Sequence, residues 1–278
     1  FELFAGADSF RLSMTVLFGV LWGIGGLTFG LSMRYLGVAL GQSIALGTCA
    51  ALGTIMGPVL LNVFFPELDA LSTLTAAVVI GVVATLVGIA IIAMKSASLS
   101  EEEKKAAVKD VNFPKGIVIA MLAGFMSGCF NVGLEFGKDI NFGDLTNPMF
   151  HTLPATLLVT FGGFITNAVY CFYQNGKNHT WGDYKNGGVW ANNLLFCALA
   201  GALWYSQFFG LSLGKGFLTS SPTLMTLSFC ILMALNVTFS NVWGIILKEW
   251  KGCSSKTIAV LIAGILVLIV SCFLPQLV

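Results

Sequence analysis

What this chain lacks is charge. Between Arg34 and Glu67 it runs 32 residues, Tyr35 to Pro66, without one Asp, Glu, Lys or Arg. Seven more charge-free windows cover 12–33, 70–94, 116–134, 145–176, 186–214, 216–247 and 257–278. Each is close to or above the ~20 residues a helix needs to cross a bilayer. Charged residues make up only 10% of the chain, against roughly 25% in an average soluble protein. A soluble domain is excluded, because its helices need a polar face toward water. A spanning β-barrel is excluded too, since its strands are about ten residues long and alternate in polarity, and nothing here alternates.

Other absences narrow the class further. The seven cysteines, at 49, 129, 171, 197, 230, 253 and 272, form no CxxC pair and no metal-ligand spacing. Six of them sit in apolar windows, where cysteine behaves as a small buried hydrophobe. No HExxH, Ser/His/Asp set or phosphate-cradling glycine loop is present, so catalysis has no support. The net charge of +1 provides no footprint for nucleic acid, and no metal or organic cofactor is expected. What is present is 56% hydrophobic residues and a mean hydropathy of +0.88, the composition of an all-α polytopic membrane protein whose surroundings are lipid.

Eight spans are expected at about 12–33, 38–61, 71–94, 115–136, 148–174, 188–211, 219–247 and 257–275. Their orientation follows from the basic residues. Eleven of the fourteen fall at Arg34 and in the loops after the third, fifth and seventh spans; Arg11, Lys138 and Lys215 lie opposite. The first set is therefore cytoplasmic, and both ends of the chain lie outside. The stretch SASLSEEEKKAAVKDVNFP (96–114) is polar enough for a solvated helical linker. The chain begins at Phe1 with no visible signal peptide, which suggests that an N-terminal part of the natural protein is missing.

A weak repeat relates the first and sixth spans. LW at 21–22 precedes GLSMRYLG (30–37), and LW at 203–204 precedes GLSLGKG (210–216). The first span enters the bilayer from outside and the sixth from inside, as in transporters built from inverted repeats. With the sixth span third in a five-span half, the first should also be third, giving ten helices in two inverted five-helix repeats. Residues 1–94 would then hold the last three helices of the first repeat, 95–114 a cytoplasmic linker, and 115–278 the second repeat.

Few polar groups in the spans suit chemistry. Glu135 is the only carboxylate near a span interior. In a partly dry cavity it would load and release protons near physiological pH; at the outer interface it would be solvated and paired with Lys138 at i+3. His151, the only histidine in a span, suits proton relay or a structural hydrogen bond. The amides Gln42, Asn62, Asn131, Asn167, Asn192, Asn193, Gln207, Asn236 and Asn241 lie in or beside apolar windows and should face the bundle, because an unpaired amide in lipid is costly. Trp204, Tyr205 and Gln207 are neighbours. Rings beside an amide suit a neutral sugar, whose C–H face packs on aromatics while its hydroxyls need hydrogen bonds. An interfacial aromatic belt is the plainer alternative, but Trp204 lies in mid-window. Trp22 is its repeat counterpart. Pairs such as Gly53-x3-Gly57 and Gly124-x3-Gly128 read as close helix packing, and Pro58, Pro154 and Pro222 as breaks within spans.

WGIGGLTFGLSMRYLG (22–37), LWYSQFFGLSLG (203–214) and ILKEWKG (246–252), with LP at 153–154, GG at 162–163 and Asn167, resemble the bacterial L-rhamnose–proton symporters, a branch of the drug/metabolite transporter superfamily. The resemblance runs from about residue 12 to the end. It implies ten helices in two inverted repeats and import of L-rhamnose across the bacterial inner membrane, with the proton as coupling ion. Trp22, Arg34, Trp204, Tyr205, Gln207, Lys248 and Glu249 sit on matching motif positions; Glu135 does not. The superfamily's ten-helix members usually have cytoplasmic termini, whereas the charge count here puts the C terminus outside.

Overall fold

The computed structural model describes residues 4, 6–36, 38–97, 112–140, 147–185, 187–246 and 254–273. Eight helices long and apolar enough to span a membrane occur among them. They are α1 Ser9–Leu36, α2 Val38–Phe64, α3 Ala76–Ala97, α4 Phe113–Phe136, α5 Leu153–Asn178, α6 Gly187–Phe217, α7 Pro222–Ile246 and α8 Ser255–Phe273. Short 3-10 turns at Pro66–Leu68, Ala70–Thr73, Pro148–Phe150 and Thr180–Lys185 connect them. Lys104, Lys105, Asp144, Lys248 and Glu249, and with them most of the expected linker, lie outside the described residues.

Every expected span is a helix, but two readings need correction. The fifth helix starts at Leu153, not 148: Pro148 opens a separate 3-10 turn and Thr152 is the N-cap. His151 therefore sits in the turn before α5 and not within a span. Pro154 falls in the first turn of α5 and Pro222 is the first residue of α7, positions where the missing N–H would have no helical partner anyway. Of these three prolines, Pro58 alone interrupts a helix interior.

Helices approach closely where glycine removes the side chain. One ridge of α4, Gly124, Gly128, Asn131 and Glu135, spaced four, three and four residues apart, lies along α2. Gly128 meets the backbone of Gly53, and Gly124 meets the Ala45 carbonyl and Thr48. The Asn131 amide donates to the Gly53 carbonyl at 2.7 Å, and the Glu135 side chain fills the space that Gly57 leaves. A second seam joins α1 to α5: Gly19 faces the Val159 backbone, Gly162 faces Val16 and Val20, and Thr166 Oγ1 donates to the Val20 carbonyl at 2.8 Å.

Three further crossings join the first three helices to the last three. Phe229 of α7 lies over Gly53 of α2, and one turn away the Cys49 and Met233 sulfurs meet at 3.9 Å. Between α3 and α8, Leu268 covers Gly88 and Ile92 covers Gly264, while the buried Thr85 and Ser271 hydroxyls share a 3.0 Å hydrogen bond. Trp22 of α1 meets Trp204 of α6. For α2 with α7 and α3 with α8, chain numbers rise on one helix as they fall on the other, so these two pairs are antiparallel.

Candidate functional site

Aromatic rings from four helices converge where α1 meets α6. Trp22 and Trp204 stack with centroids 5.6 Å apart and planes 17° from parallel. Trp22 also packs edge-on against Phe130 of α4 at 5.1 Å. Phe130 stacks on Phe208 of α6 at 4.6 Å and, more distantly, on Phe229 of α7 at 6.4 Å. Trp204 and Tyr205 both present their edges to Phe208, at 4.9 Å and 5.9 Å. From α5, Gly163 completes the floor, because any side chain there would collide with the Trp22 ring. These offset-stacked and edge-to-face arrangements are the favourable ones for aromatic quadrupoles.

Trp22 stands eight residues before its GLS triplet and Trp204 six before its own, so the two tryptophans meet without sharing one register in the repeat. Their contact leaves no slot between the rings. Trp204 nevertheless remains 46% exposed, so part of its surface is open to a ligand.

The expected amides are distributed less simply. Asn131 follows Phe130, is 3% exposed, and bonds the Gly53 carbonyl; its Oδ1 is buried with no hydrogen-bond partner among the described residues. Such an orphaned acceptor is the kind of group that a water or a ligand hydroxyl satisfies. Gln207 donates at 3.0 Å to the Trp204 carbonyl of its own helix. Asn167 donates at 2.8 Å to the Gly163 carbonyl, one turn from the Trp22 contact, but is itself exposed. Asn192 and Asn193 are also exposed, against the expectation that all the amides face the bundle. Asn241 is buried, with its Oδ1 also unpartnered.

The two proton-coupling candidates are carried by different elements. Glu135 is half-buried on the α2-facing ridge of α4, five residues past Phe130 and so about 7.5 Å further along the axis. His151, half-buried before α5, is twelve residues from Gly163, which corresponds to about 18 Å of helix. Lys215, expected as a loop cation, lies in the last turn of α6 and is 9% exposed. At the opposite end of α1, the Arg11 guanidinium pairs with Asp139 and lies over the Phe65 ring at 4.5 Å.

Phe130, Phe208, Phe229 and Gly163 belong to this site and were missed as site residues. With 23 phenylalanines in the chain, none is distinguished by type. The available signal was adjacency: Phe130 precedes Asn131, and Phe208 follows Gln207. The two cavities described lie elsewhere, at the α5–α6 connection, and are bordered by neither Trp204 nor Gln207.

Comparison with known proteins bears on this aromatic, amide-flanked crossing. The family model described as L-rhamnose-proton symport protein (RhaT) matches residues 2–277. The chain belongs to this family. The L-rhamnose-proton symporter of Yersinia pestis (strain Pestoides F) is 32% identical over 268 residues, covering 92% of this chain and 75% of that protein. The L-rhamnose-proton symporter of Citrobacter koseri is 28% identical over 288 residues, covering 97% of this chain and 80% of that protein. No solved structure gives a significant match. Membership in the symport family, with eight span-length apolar helices, makes the chain a multi-pass membrane transporter and not an enzyme.

Proposed function

We propose that this chain carries L-rhamnose inward across the bacterial inner membrane, coupled to protons, by alternating access. The observation that carries the reading is the stacking of Trp22 of α1 on Trp204 of α6, with Phe130 and the buried Asn131 beside them. L-rhamnose has an apolar C–H face and hydroxyls, and the crossing offers ring faces with amides beside them. Trp22, Trp204 and Tyr205 supply the rings; Asn131 Oδ1, Gln207 and Asn167 supply the hydrogen-bonding groups.

Residues 1–94 and 115–278 act as two halves related by an in-plane pseudo-twofold axis, with the cytoplasmic linker 95–114 between them. The antiparallel pairings of α2 with α7 and α3 with α8, together with the contact of α1 with α6, support this arrangement, since counterparts meet on such an axis. In the state described here the paired tryptophans touch. A sugar seated between the rings then requires them to part, so the loaded and empty forms differ at this contact. Glu135 is the stronger coupling candidate: it lies within the bundle, on the ridge that carries Asn131, whereas His151 is in a turn. Protonation neutralises its carboxylate and lowers the cost of moving the loaded site through a dry environment.

Cells lacking their own carrier should accumulate labelled L-rhamnose when they express the full-length protein. Uptake unchanged after collapse of the proton gradient would sink symport. The alternative cargo, another sugar or an exported metabolite in the same fold, is separated by competition with L-fucose, L-lyxose and D-mannose.

A further inference from the structure

Phenylalanine rings close one end of the bundle, where α1 begins and α2 and α4 end. Phe136, the last residue of α4, is fully buried. It stacks on Phe18 of α1 at 5.4 Å, and it meets Phe64 and Phe65 edge to face at 5.9 Å and 6.4 Å. Phe10 packs against the same two rings at 5.5 Å and 5.9 Å. The cluster stands over the candidate sugar site. Phe18 is four residues from Trp22, about 6 Å of helix, and Phe136 is six residues past Phe130, about 9 Å. The scarcity of basic residues makes this the outer end.

Two features distinguish the cluster from a passive core. The Arg11 guanidinium lies over the Phe65 ring at 4.5 Å and also pairs with Asp139, three residues past Phe136. One cation thus straps the end of α2 to the end of α4. The second feature is Pro58, inside α2 and six residues before Phe64. It has no N–H, so the Thr54 carbonyl loses its helical donor and the helix is weakest there. Beyond it, the Phe65 N–H still bonds the Leu61 carbonyl at 2.7 Å, so residues 59–65 hold together as one piece. At the joint, Gly57 leaves room for the Glu135 side chain.

We propose that residues 59–65 form an outer flap hinged at Gly57–Pro58. Seated on Phe136, the flap closes the route to Trp22 and Trp204, and Arg11 with Asp139 latches it. The Asp139 side chain is 59% exposed, and an ion pair so open to water is weak enough to release. The inference rests on the alternating-access reading, since such a carrier needs a closure above its site.

The test uses the full-length protein with Cys171, Cys197 and Cys253 changed to Ser. Val132 is 2% exposed and shares a buried cluster with Phe136 and Leu61, so Val132→Cys reports on opening. Intact cells are treated with a membrane-impermeant thiol reagent, without sugar. Asp139→Asn is expected to raise the labelling rate about two- to fivefold, the worth of an exposed ion pair, and Asp139→Glu to restore the parental rate. Pro58→Ala returns the missing donor and should slow labelling. Glu67→Gln, an exposed carboxylate in the turn after α2, should leave it unchanged. A rate indifferent to Asp139→Asn, or raised equally by Glu67→Gln, would overturn the latch; a parental rate in Pro58→Ala would overturn the hinge. The Asp139 variants lie at the surface and decide the matter should Pro58→Ala not fold. Their failure sinks the flap alone, whereas absent L-rhamnose uptake by the unaltered protein sinks the transport reading.

Discussion

At the scale of single residues, the proposed sugar site turns on Trp22 and Trp204. A ring face contributes about 0.5–1.5 kcal/mol beyond its buried area, and 1.4 kcal/mol is tenfold in affinity. Trp204→Ala is expected to weaken L-rhamnose binding about tenfold, with Trp204→Phe recovering part of the loss; equilibrium binding to purified protein measures both. Glu135→Gln is expected to stop accumulation against a gradient while exchange of labelled for unlabelled L-rhamnose continues. Accumulation that survives the change would remove Glu135 from coupling and leave His151 as the candidate. Both tryptophans were legible as candidates because each stands in LW before a GLS triplet. Their contact with Phe130 and Phe208 was not legible, since a phenylalanine facing lipid and one facing the bundle look alike in an apolar run. Asn131 illustrates the converse: an amide in a span had to find a partner, but that partner is a backbone carbonyl of α2.

At the scale of elements, the charge-free windows specify where helices lie, and glycines specify where they touch. The α4 ridge seats on α2 because Gly128 brings its backbone against Gly53. Gly128→Leu is expected to cost about 1–3 kcal/mol, the usual penalty for forcing extra methylenes into a packed contact, and to lower the thermal midpoint in detergent. Gly26 is the control, for a Cβ there meets nothing within 4 Å among the described residues; Gly26→Leu should stay within about 0.5 kcal/mol of the original. An equal loss at both positions would mean that backbone freedom, not the seam, sets the effect. Both glycines stand in the same Gly-x3-Gly spacing, so sequence alone could not distinguish the seam from the open face. Helix ends were less legible still. Pro154 reads as a break within an apolar window, but the chain uses it to begin a helix after the 3-10 turn at Pro148–Phe150.

At the scale of the whole molecule, α1 and α6 have unequal surroundings. Helices α4 and α5 close over α1 through Gly25, Gly19 and Gly23, while residues 187–204 of α6 are exposed throughout. Hydropathy could not anticipate this difference, because the two spans are almost equally apolar. Among the contacts that join the proposed halves, that of Trp22 with Trp204 lies at the proposed sugar site, and alternating access makes it state-dependent. The prediction is tested with Trp22→Cys and Trp204→Cys combined, after Cys171, Cys197 and Cys253 have been changed to Ser. A short bifunctional thiol reagent should join the two positions in the empty transporter. Because the rings must part for the sugar, L-rhamnose should slow the cross-linking, and L-fucose should do so only if it is also carried. The double variant loses both rings, so protection is read at saturating sugar and compared with each single variant labelled by a monofunctional reagent. Cross-linking that proceeds at one rate with and without L-rhamnose, in protein shown to bind it, would mean that the halves do not separate at this crossing. The sugar would then have to bind against the exposed surface of Trp204 alone.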